Sequence, residues 1–144
     1  MVGLNITISC SKTPQKRVFT LDISQDFIER IVGHALREDP NECCGVLAGN
    51  NGVVSEMFEM TNTAHSPYRY EIDGKELLKV LQDLDEHRWD LIAIYHSHTH
   101  SPAYPSATDI RLATWPDANY LLVSLEDRSS PVIRSFRIVD GTVS

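Results

Sequence analysis

Asp90-Leu91-Ile92-Ala93-Ile94-Tyr95-His96 runs from Leu91 to Tyr95 with no charged or strongly polar interruption. A strand with one wet face would alternate apolar and polar residues, so an unbroken run needs cover on both faces. The segment therefore predicts a central strand, with helices packed above and below it. The sequence around it supplies them. Upstream, Gly74–His87 carries Leu77, Leu78, Leu81 and Leu84 at helical spacing. Further upstream, Phe27, Ile28, Ile31, Val32 and Ala35 mark a helix over 25–38, with Ser24 as N-cap and Pro40 at its end. Between the helices, Cys44–Ala48 and Val53–Met60 read as a hairpin turning at Gly49-Asn50-Asn51-Gly52. Val18–Ile23 is a strand, and Thr61–Ile72 and His98–Pro105 are loops. A short helix begins at Thr108–Leu112 and stops near Pro116. Tyr120–Ser124 and Val132–Val139 are the last strands, joined by a turn at Asp127–Pro131. Strands and helices alternate early and strands pair late, so the class is α/β.

The composition bounds the function. The chain has 144 residues, 42% hydrophobic and 23% charged, which fits one soluble domain. Residues 17–144 read as that domain, and residues 1–16 as an N-terminal extension or an edge strand. A net charge of -7 argues against nucleic acid as a partner, because phosphates select a basic face. No apolar run approaches the ~20 residues of a membrane span, and no signal peptide is evident. The three cysteines include the adjacent pair Cys43 and Cys44, which is no disulfide framework. A reducing cytoplasmic location is the default expectation. Nothing in the sequence sets an oligomeric state.

The chemistry concentrates at the end of the central strand. His96 and His98 are two apart, so both imidazoles project from the same side. Such a pair can chelate one ion, and zinc accepts His nitrogen and Asp oxygen. Asp109 supplies a third ligand if the intervening loop folds back and the next helix presents its first turn. Ser106 stands at that loop–helix junction, where it can cap the helix, donate to an oxyanion, or both. Glu42, just before the Cys43-Cys44 strand, is placed to act as a proton acceptor. Taken alone, each has a plainer reading: Asp109 and Ser106 as helix-start residues, Glu42 as a solvated carboxylate.

Together, Glu42 and His96-x-His98-x7-Ser106-x2-Asp109 resemble the JAMM (MPN+) metalloprotease signature at every position. Met60-Thr61-Asn62, Ser66-Pro67, Ala103-Tyr104-Pro105-Ser106 and Arg137-Ile138-Val139-Asp140-Gly141 are similar to bacterial Mec-type members, which act in a sulfur-carrier route to cysteine. The resemblance covers about residues 18–143. It implies a mixed β-sheet flanked by helices, the cytidine-deaminase-like JAMM/MPN architecture. It also implies Zn2+ held by His96, His98 and Asp109, with Glu42 as general base and acid and Ser106 steadying the tetrahedral intermediate. The implied partner is a ubiquitin-like sulfur carrier with a Gly-Gly C-terminus, from which hydrolysis releases cysteine.

The alternatives are a broader isopeptidase acting on ubiquitin-like conjugates and a non-catalytic scaffold of the same fold. A zinc deaminase would need H-x-E and C-x-x-C, which are missing. His98-x-His100 forms a second H-x-H, but it puts Ser106 and Asp109 out of step with the signature. Cys43 and Cys44 read as packing residues, with a metal-reaching thiolate as the alternative. His34 and His87 read as surface or boundary residues. Tyr68, Arg69 and Tyr70 either contact a partner's tail or pin their loop to the core.

Overall fold

The computed structural model describes residues 6–10 and 19–144. The elements are β1 (Ile6–Cys10), β2 (Phe19–Ile23), α1 (Gln25–Glu38), β3 (Cys44–Asn50), β4 (Val53–Met60), α2 (Gly74–His87), β5 (Asp90–His98), α3 (Ala107–Leu112), β6 (Asn119–Ser124), β7 (Val132–Phe136), β8 (Ile138–Val139) and β9 (Thr142–Val143). Among the described residues, seven strands form one sheet in the order β1-β2-β4-β3-β5-β6-β7, and β8 pairs with β9 apart from it. The β2–β4 and β5–β6 pairings are parallel and the others antiparallel, so the sheet is mixed.

β5 lies between β3 and β6, and both of its faces are covered. Cys43, Leu47, Ala93, Tyr95 and Leu121 pack with Ile31 and Ala35 of α1. Cys44, Val46 and Ala48 pack with Val80 and Leu84 of α2 on the other face. The two-residue period divides β3 between the helices. β5 is divided likewise, with Ala93 and Tyr95 on one face and Leu91 and Ile94 on the other, which is why its apolar run has no polar break. Leu77 and Leu81 join the α2 cluster, whereas Leu78 is exposed.

Several sequence expectations change in detail. β5 continues through His98, held by its parallel pairing with β6 as far as Ser124. β3 extends to Asn50, and the hairpin turns on Asn51 and Gly52, both at positive φ, as a twisted two-residue turn requires. Ser24 occupies the α1 N-cap position, but its side chain makes no cap bond. The final strand breaks at Arg137, and the chain folds back through β8 and β9, so that Arg137 and Ser144 exchange backbone hydrogen bonds. Ile6–Cys10 pairs with β2 at the sheet edge, while residues 1–5 and 11–16 of the expected extension lie outside the described residues.

Candidate active site

β5 carries Ile94, His96 and His98 toward the α2 face, and β3 runs antiparallel beside it with Cys44 opposite His96. Glu42 lies two residues before Cys44, at the end of that ladder, close enough for its charge to feel His98 and Asp109. The loop after β5 then returns α3 to the same place. Ser106 caps α3 with a complete capping box: its Oγ accepts from the Asp109 N–H at 3.0 Å, and Asp109 Oδ2 accepts from the Ser106 N–H at 2.9 Å. The box turns the Asp109 carboxylate back toward β5.

Asp109 Oδ2 lies 3.1 Å from His96 Nε2 and 3.0 Å from His98 Nε2, and the two nitrogens are 3.3 Å apart. All three residues are buried. Converging nitrogen and carboxylate donors of this kind can hold a divalent cation. His98 Nδ1 is engaged by the Pro102 carbonyl at 2.9 Å, which orients the ring and leaves Nε2 for a ligand. The His96 ring is held differently. Its Nδ1 is buried without a hydrogen-bond partner, and its face stacks on Tyr70 at 4.4 Å.

The electrostatics follow from burial. Burial favours protonated Asp109, but the hydrogen bonds from His96 and His98 win and hold the carboxyl well below its usual range. Burial lowers the His96 pKa. Burial acts the same way on His98, yet its bonds to Asp109 and Pro102 raise it overall. Glu42 is only 3% exposed and its Oε1 has no partner. Burial, opposed by His98 and reinforced by Asp109, pushes its carboxyl up to about 8. The solvated glutamate expected from Glu42 alone is therefore replaced by a buried one.

The neighbouring residues separate clearly. Cys43 and Cys44 are buried packing residues, burial pushes the Cys43 thiol up to about 12, and neither thiol is among the three converging donors. His100 contacts the Thr99 hydroxyl at 2.9 Å. His34 is buried, contrary to the boundary reading, with Nδ1 at 2.7 Å from the Tyr95 hydroxyl, while His87 is exposed. Tyr68 is 79% exposed, whereas Tyr70 lies against the site. A groove of about 200 Å³ lined by Tyr70, Ile72, Leu77, Leu112 and Trp115 runs up to Asp109.

Three converging donors that can hold a cation, with a buried carboxylate near them, are the kind of equipment a metal-dependent hydrolase uses. Residues 24–139 match the family described as prokaryotic homologs of the JAB domain. The CysO-cysteine peptidase of Mycobacterium tuberculosis is 46% identical over 129 residues, covering 88% of each chain. The desampylase of Haloferax volcanii is 35% identical over 115 residues, covering 75% of this chain and 83% of its own. The solution structure of a protein from Desulfitobacterium hafniense aligns with a TM-score of 0.77 at 33% identity, covering 85% of this chain and 86% of that one. The chain belongs to the prokaryotic JAB-domain family and is a peptidase.

Proposed function

We propose that the protein is a zinc-dependent peptidase that hydrolyses the bond after the C-terminal glycine of a ubiquitin-like sulfur carrier, releasing cysteine. The observation that carries this reading is the convergence of His96, His98 and Asp109 beside the buried Glu42. The CysO-cysteine peptidase relative supports the substrate. Residues 17–144 are taken as the peptidase domain, with 1–16 as its N-terminal extension. The free, buried thiols of Cys43 and Cys44 favour a reducing cytoplasm.

His96, His98 and Asp109 would hold the ion. Zinc, when bound there, supplies a Lewis acid and a positive charge that favours ionisation of water. Glu42 takes the proton from the attacking water and delivers it to the departing amine as the C–N bond breaks. Buried away from bulk water, the Glu42 carboxylate can keep that proton between the two transfers. The Ser106 Oγ already accepts from the Asp109 N–H, and its own hydrogen stays available for the oxyanion of the tetrahedral intermediate. The groove leading to Asp109 suits an extended tail with a narrow Gly-Gly end.

The test is mass spectrometry of a Gly-Gly carrier bearing a C-terminal cysteine, incubated with the zinc-loaded protein with and without chelator. Loss of one cysteine residue, blocked by the chelator, is expected. Glu42→Gln should keep its zinc and fall to a small residual turnover. Wild-type turnover in that variant would remove Glu42 from the mechanism. The desampylase relative keeps a broader isopeptidase as the second reading, which a lysine-linked carrier cleaved faster than the cysteine-extended one would favour. A non-catalytic scaffold is disfavoured because the full set of site residues is present.

A further inference from the structure

Glu42 stands outside the strand ladders that fix its neighbours. The pairings of β3 with β4 and with β5 both begin at Cys44. The two backbone hydrogen bonds of Glu42 go instead to the Thr61–Ile72 loop. Its N–H donates to the Ser66 carbonyl at 2.9 Å, and its carbonyl accepts from the Asn62 side-chain amide at 3.0 Å. The Asn62 amide also donates to the Arg69 carbonyl at 3.1 Å, and its Oδ1 accepts from the N–H groups of Ala64 and Glu71, each at 3.0 Å. All four hydrogen-bonding positions of the carboxamide are thus filled. The Asn62 backbone pairs with Ile72 and closes the loop.

The same loop reaches the metal-ligand strand. Tyr70 stacks on His96, and the Thr99 hydroxyl donates to the Pro67 carbonyl at 3.1 Å. One loop therefore touches both halves of the site, and Asn62 joins it directly to Glu42.

We propose that Asn62 is a positioning residue for Glu42: its side-chain amide, bonded to the Glu42 carbonyl, fixes the base relative to His96 and His98. This rests on Glu42 being the base. A base displaced by a fraction of an ångström loses turnover without losing the ion or the substrate.

The experiment uses the zinc-loaded full chain and the cysteine-extended carrier. Asn62→Ala is expected to lower kcat about 10- to 100-fold, with zinc content unchanged and KM within about threefold of wild type. Asn62→Asp keeps the two acceptor bonds that shape the loop but as a carboxylate has no donor for the Glu42 carbonyl. It is expected to be as impaired as Asn62→Ala, and it decides the matter if Asn62→Ala folds poorly. In a Glu42→Gln background, Asn62→Ala should cost less than about twofold, because the group it positions has already lost its function. A wild-type kcat in both Asn62 variants, or an equal loss in both backgrounds, overturns the proposal. If Glu42→Gln itself turns over at the wild-type rate, the base assignment fails first and this proposal falls with it.

Discussion

Glu42 is a costly residue for the fold. In the unfolded chain its carboxyl titrates near 4.5, whereas burial holds it near 8 in the metal-free native protein. Below pH 4.5 both states keep the proton and there is no penalty. Between 4.5 and 8 the unfolded chain releases the proton and the native protein retains it, so stability falls as pH rises. Glu42→Gln removes that titration. It should stabilise the metal-free protein by less than about 1 kcal/mol at pH 5 and by a few kcal/mol at pH 8. Thermal unfolding at the two pH values checks this, and an equal gain at both would show that charge burial is not the cause. Tyr70 offers a second test at this scale. Its ring, not its hydroxyl, meets His96. Tyr70→Ala should weaken zinc binding about tenfold, while Tyr70→Phe should leave it unchanged in a chelator competition. That His96, His98 and Asp109 come together was expected from the signature they resemble, and their donor atoms do converge. The burial of Glu42 was not expected, because it depends on the pairing of β3 with β5 and on a loop from elsewhere in the chain. The four-bond role of Asn62 was hidden for the same reason: a side chain between two loop segments leaves no periodic signal.

At the level of elements, the contact between β3 and β5 determines how accurately His96 is placed. Tyr95, completely buried, lies across Gly45 on the neighbouring strand. A Cβ at position 45 would come within 2.1 Å of the Tyr95 ring. Gly45→Ala must therefore displace a buried aromatic ring directly adjacent to His96. A loss of about 3 kcal/mol is expected in denaturant unfolding, accompanied by weaker zinc binding. Unchanged stability would mean that the ring has room to move. Helices, hairpin and central strand were readable because period and turn chemistry agree with the final packing. The split after Phe136 was not, because Val132–Val139 is strand-forming throughout, and the break is imposed by the return of the C-terminal residues to Arg137. The burial of His34 follows from Tyr95, a partner 61 residues away.

For the molecule as a whole, an ion joining β5 to α3 should act as a stabilising ligand. Zinc held at ~1,000 times its Kd contributes about 4 kcal/mol to folding, on the order of 10 °C in Tm for a chain of this size. Chelator should remove that increment from the wild type and have no effect on His96→Ala. A wild-type Tm that ignores both zinc and chelator would show that these three side chains do not hold the ion. The described helices include none long and apolar enough to cross a membrane.

α3 has six residues, and Asp109 lies in its first turn. So short a helix has little intrinsic persistence in water and relies on its Ser106 cap and its contacts. When that turn frays, Asp109 leaves the two histidines while the sheet stays intact. The residence time of an ion held there would then be governed by local opening rather than global unfolding. Metal release and amide hydrogen exchange in residues 107–112 should share a common opening step.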